Sequence, residues 1–132
     1  MWEIVTTEEF SLWWAELDEE VRECVSHDVR VIGAFGPHAR RPVVDTVAGS
    51  RHSNLKELRT RCYRMQLRVF FAFDPRRRAV LLIGGDKSGD SRIYETMIPR
   101  ADAIFDRYLS ELEEERQGHE SKKSHPIFGT VC

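Results

Sequence analysis

The 132-residue chain carries 20 Lys/Arg against 22 Asp/Glu, a formal net charge of −2, with 41% hydrophobic and 32% charged residues. That length suits one domain around one core, and the composition is that of a globular protein with a well-solvated surface. No run approaches the ~18 apolar residues that a membrane helix needs. The near-neutral total conceals a polarised chain: residues 36–100 hold 14 basic and 6 acidic side chains, residues 1–35 hold 2 and 9, and residues 101–132 hold 4 and 7. A basic middle flanked by acidic ends points to a polyanion partner on one face and a different contact on the other.

The start, Met1-Trp2-Glu3, lacks the basic and apolar stretch of a secretion signal. Cys24, Cys62 and Cys132 form an odd, widely spaced set without a CxxC. That pattern predicts a reducing compartment, hence the cytoplasm, and speaks against a disulfide scaffold or a zinc site.

Met1–Val5 reads as a short strand. Thr6 followed by Glu9 has capping-box spacing, and Phe10, Trp13, Trp14 and Leu17 then mark one helical face. Asp18 is the expected cap of a second helix, with Val21, Cys24, Val25, Ile32 and Phe35 on its apolar side; Cys24 reads as a core residue. Gly36-Pro37 stops that helix. Residues 42–53 read as a loop or short extended piece.

Three strands are then predicted, over 55–59, 63–73 and 79–84. In the second, Tyr63, Met65, Leu67, Val69, Phe71 and Phe73 alternate with Arg64, Gln66 and Arg68, placing the two sets on opposite faces. Asp74-Pro75 and Arg76–Arg78 make a hairpin turn. The return strand, Ala79-Val80-Leu81-Leu82-Ile83, is apolar throughout, as a centrally placed strand covered on both faces would be. Residues 84–90 read as a mobile loop. A last helix follows from about Ser91, with Pro99 either marking its true start near Ile98 or bending it.

Most local signatures of chemistry are absent. The loop at 84–89 lacks the GxxxxGK[ST] spacing of a phosphate loop, the five histidines show no HxxxH or HExxH pattern, and no GxSxG or Cys/His motif suggests covalent catalysis. No cofactor or metal is expected. What remains is a set of cations on the predicted sheet, Lys56, Arg59, Arg64, Arg68 and Lys87, which repel one another unless an anion or an acidic partner joins them.

The runs Asn54-Leu55-Lys56-Glu57-Leu58-Arg59, Tyr63-Arg64-Met65-Gln66-Leu67-Arg68-Val69-Phe70-Phe71-Ala72-Phe73 and Val80-Leu81-Leu82-Ile83, ending at Lys87, resemble the phage-derived HigB branch of the RelE/ParE toxin superfamily over about residues 2–112. The resemblance implies an α+β, RelE-like fold: an N-terminal helical hairpin packed on a twisted, mainly antiparallel sheet, with a C-terminal helix. It does not cover residues 113–132; from Glu113 the chain turns polar and loses periodicity, so a toxin domain over 1–116 followed by a flexible tail at 117–132 is expected. The resemblance further implies the toxin of a type II toxin–antitoxin pair, acting as a metal-independent, ribosome-dependent mRNA endoribonuclease that arrests translation and growth. Its partners would be the ribosome with its mRNA and an antitoxin carrying a helix-turn-helix domain.

Cleavage of this kind needs a base for the ribose 2′-hydroxyl, cations on the phosphate and an acid for the leaving oxygen. By the resemblance, Arg64 contacts the phosphate, with Arg59, Arg68 and Lys56 as supporting cations. Lys87 either neutralises charge or moves a proton. Tyr94 or Tyr63 donates a proton or stacks on a splayed base, and Arg92 stacks likewise. No histidine occurs between His52 and His119, which leaves the general acid and base unassigned. Two alternatives stand beside this reading: a non-catalytic, ParE-like inhibitor of DNA gyrase, and a degenerate phage-derived protein that binds only nucleic acid or antitoxin.

Overall fold

The computed structural model of the chain describes residues 1–117. The elements run β1 (Glu3–Thr6), α1 (Glu8–Ala15), α2 (Glu19–Phe35), β2 (Val44–Thr46), β3 (Lys56–Cys62), β4 (Met65–Phe73), β5 (Arg78–Asp86) and α3 (Ile93–Arg116), with single 3₁₀ turns at Gly36–His38 and Lys87–Gly89. The five strands form one sheet in the order β1-β5-β4-β3-β2. β1 pairs with β5 in parallel, and the other neighbours are antiparallel. This is the expected α+β arrangement, with α1 and α2 on one face and α3 on the other.

Period-two alternation builds the two cores. Leu67, Val69 and Phe71 of β4 meet Phe10 of α1 and Val21, Val25, Val29 and Ile32 of α2. From the opposite face, Phe70 and Ala72 of β4 and Val80 and Leu82 of β5 meet Ile98, Ala101, Ile104 and Phe105 of α3. β4 and β5 are therefore central strands buried on both sides. The polar face predicted for β4 is polar only at its beginning, Gln66 and Arg68, because α3 covers the rest.

Several expected boundaries move. Thr6 closes β1, paired with Leu81, and Thr7 is the helix cap instead: its Oγ1 accepts from the Phe10 amide at 3.2 Å and donates to the Leu82 carbonyl at 2.6 Å. Asp18 does occupy the cap position of α2, without a side-chain capping bond. The segment at 42–53 contributes the edge strand β2. Tyr63 and Arg64 belong to no strand; they form the turn between β3 and β4, with Tyr63 at φ 57°. Residues 84–86 continue β5, and Lys87–Gly89 make a 3₁₀ turn, so the expected loop is structured. α3 begins at Ile93 and runs through Pro99, which is exposed within it.

The expectation of unpaired cysteines fails. Cys24 on α2 and Cys62 at the end of β3 form a disulfide with Cα atoms 6.0 Å apart. Spacing along the chain carried no hint of this, because the helix and strand meet only in three dimensions. The tail at 117–132, including Cys132, lies outside the described residues apart from Gln117. Among the described residues, no helix is long and apolar enough to cross a membrane.

Candidate active site

α3 lies over β5 and β4 and leaves the β3 end of the same sheet face open. Residues 57, 59 and 61 of β3 point to this face by alternation, beside Gln66 and Arg68 of β4. Arg59 and Arg68 are direct cross-strand partners, as are Arg61 and Gln66. Like charges facing each other across a ladder destabilise it unless something compensates.

Glu57 supplies the compensation. It is 4% exposed, and its Oε2 lies 3.4 Å from Arg59 while its Oε1 lies 3.4 Å from Arg68 Nε. Tyr94, from the first turns of α3, donates its hydroxyl to Glu57 Oε1 at 2.7 Å and accepts from Arg68 Nε at 3.1 Å. Arg59 also reaches Asp45 of β2 at 3.3 Å, and Asp45 holds Arg41 at 3.0 Å. The Phe70 ring packs edge-on to Tyr94 at 6.0 Å. Burial, then the bond to Glu57, raises the Tyr94 pKa above its usual value, with Arg68 working against the shift. Tyr94 is therefore a neutral phenol at physiological pH.

The 3₁₀ turn after β5 brings Lys87 to this cluster, its Nζ 5.5 Å from the centre of the Tyr94 ring. Asp86 holds that turn by accepting from the Ser88 amide at 2.9 Å and the Gln66 amide at 3.3 Å. Burial works to raise the Asp86 pKa, yet these bonds prevail and lower it overall.

Of the residues singled out in the sequence, the fold gathers Arg59, Arg68, Lys87 and Tyr94 around Glu57. Lys56 does not join them; pairing with Phe71, it faces the α1/α2 side. Tyr63 is 74% exposed and donates to the Glu20 carboxylate of α2 at 2.7 Å. Arg92 flanks the start of α3 and pairs outward with Glu95 at 2.9 Å. Arg64 is exposed in the β3–β4 turn, four residues and thus ~13 Å along the strand from Arg68. The expected bare cationic hollow is instead a charge-balanced cluster. Sequence reasoning missed Glu57, although an acidic side chain two residues before Arg59 in a strand necessarily shares its face.

An α+β domain whose sheet presents an arginine–carboxylate–tyrosine cluster beside its C-terminal helix is the class these observations define. A profile described as "Phage derived protein Gp49-like (DUF891)" matches residues 12–106. Two Mycobacterium tuberculosis (strain ATCC 25618 / H37Rv) proteins named as candidate toxins are similar. HigB2 is 39% identical over 118 residues, covering 88% of this chain and 59% of HigB2; HigB3 is 39% identical over 99 residues, covering 74% of this chain and 85% of HigB3. The chain thus spans less than two thirds of HigB2. No solved structure matches it significantly. The chain belongs to the Gp49-like family of phage-derived proteins, in its HigB-like branch.

Proposed function

We propose that this chain is the toxin of a type II toxin–antitoxin pair and acts in the cytoplasm as an mRNA endoribonuclease on the ribosome, with residues 1–116 as the toxin domain. The observation that carries this reading is the hydrogen-bonded unit Glu57–Tyr94–Arg68, flanked by Arg59 and Lys87. Glu57 is the candidate base: it takes the proton of a ribose 2′-hydroxyl as that oxygen bonds to the adjacent phosphorus. Arg68 and Arg59 turn from Glu57 toward the phosphate oxygens, where charge develops in the transition state. The P–O5′ bond breaks, and the leaving oxygen takes a proton from Tyr94 or Lys87. The products are a 2′,3′-cyclic phosphate and a 5′-hydroxyl end. Arg64, Lys56, Arg92 and Tyr63 lie outside this cluster and are candidates for contacts to RNA beyond the scissile phosphate. A helix-turn-helix antitoxin completes the pair, and no metal is required by this scheme.

The pairing of Arg59 and Arg68 with Glu57 and Asp45 also favours a second reading, in which the cluster is structural and the protein inhibits DNA gyrase by binding alone. Mapping transcript ends after induction separates the two. New 5′-hydroxyl ends that vanish in Glu57→Gln and Tyr94→Phe support cleavage. Intact transcripts with arrested replication overturn it.

A further inference from the structure

Beyond Arg59 and Arg68, on the side away from Tyr94, a cleft of about 510 Å³ opens along the edge of β3 where β2 no longer pairs. Arg59, Arg61, Gln66 and Arg68 line it together with Thr60. Pro42 and Val43 form an apolar wall, and Asp28 of α2 closes the far end. Two polar atoms of these lining residues are buried without a hydrogen-bond partner: Arg59 Nε and Thr60 Oγ1, the latter on a residue only 1% exposed. A buried polar atom without a partner is costly, and Arg59 lies on the sheet face of Gln66 and Arg68, so a ligand in the cleft can complete its Nε; Thr60, paired with Leu67, faces the α1/α2 side instead. Arg61 is exposed and makes no ion pair among the described residues, in contrast to Arg59 and Arg68.

Cations and a side-chain amide beside an apolar wall match the parts of a nucleotide: phosphate, hydrogen-bonding base edge and planar ring. We propose that this cleft is a nucleotide subsite, holding the RNA residue next to the one whose ribose meets Glu57. Arg61 takes its phosphate, the Pro42–Val43 wall supports its ring, and Gln66 reads its base edge. The inference rests on the ribonuclease reading for its neighbour in the strand, but nucleotide binding itself requires no cleavage.

The test titrates the full ¹⁵N-labelled protein with adenosine and guanosine 3′-monophosphates, inorganic phosphate and an acidic peptide. Saturable shifts at the amides of Thr60, Arg61 and Gln66, and an affinity about tenfold above that of inorganic phosphate, are expected. Gln66→Ala should weaken nucleotide binding about threefold to tenfold, the loss of one or two hydrogen bonds, while leaving phosphate binding and the melting temperature in place. Arg61→Ala should weaken both ligands. Equal binding of phosphate or of the acidic peptide, shifts confined to Tyr94 and Lys87, or an unaltered Gln66→Ala would overturn the subsite. Nucleotide binding without any RNA cleavage would instead sink the ribonuclease reading and leave the subsite standing.

Discussion

Arg59 and Arg68 stand directly opposite each other on β3 and β4, each about 3.4 Å from a different oxygen of the Glu57 carboxylate. Two guanidinium groups in such a position would repel strongly in a half-buried setting. The carboxylate makes the register tolerable, and the Tyr94 hydroxyl ties it to α3. Local stability and the proposed chemistry therefore depend on the same side chain.

Removing that carboxylate should have two separable effects. Glu57→Ala leaves the buried Arg68 uncompensated and should cost about 3–5 kcal/mol, seen as a lower urea midpoint. Glu57→Gln keeps the volume and part of the hydrogen bonding, so it should cost only about 1–2 kcal/mol while abolishing growth arrest. A folded Glu57→Gln protein with full toxicity would rule out the base assigned above.

Alkaline pH should loosen the fold through two tyrosines. Burial first, and then bonds to Glu57 and Asp74, raise the pKa of Tyr94 and of Tyr108 above the usual 10.0. A raised folded-state value gives stability that is complete below the unfolded pKa and is lost as pH climbs toward the folded one. Urea midpoints should hold to about pH 9 and fall beyond about pH 10. Tyr94→Phe and Tyr108→Phe should each flatten that fall, Tyr108→Phe the more because its shift is the larger. An equally steep loss in the double variant would assign the effect elsewhere.

Reduction should weaken the protein. The Cys24–Cys62 bridge closes a loop with a sequence separation of 38, for which chain entropy gives about 4 kcal/mol. Dithiothreitol should lower the denaturation midpoint by a corresponding amount, and the Cys24→Ser/Cys62→Ser protein should match the reduced one and ignore the reagent. An unchanged midpoint on reduction would mean that the bridge does not form in solution.

Gly84 tests the packing of α1 on the sheet. A Cβ there would lie 2.5 Å from the Trp13 ring, so Gly84→Ala must displace that indole or the strand beneath it. A cost of about 1–3 kcal/mol is expected, read as a lower melting temperature with altered tryptophan fluorescence. Gly89→Ala, with open space around its Cβ, should leave both signals in place.

Local patterns carried a large part of this fold. The alternation from Met65 to Phe73 identified the side that meets α1 and α2, the apolar run from Ala79 marked a strand covered on both faces, and Gly36-Pro37 ended α2. Each rests on a period or a backbone preference within a few residues, which the order of amino acids contains outright. The resemblance carried by the strand motifs named Arg59, Arg68, Lys87 and Tyr94 among eight candidates, but it put Arg64, which lies in the β3–β4 turn, first.

Tertiary packing alone decided the remainder. Glu57 is one acidic residue in a basic stretch until β3–β4 pairing and the docking of α3 bring two arginines and a phenol against it. Arg64 reads as a strand residue until the hairpin turns at Tyr63 and carries it away from the cluster. Cys24 and Cys62 are strangers along the chain and neighbours across the α2–β3 contact. Such contacts depend on loop closure and on which surfaces bury each other, neither of which leaves a trace in a short window of sequence.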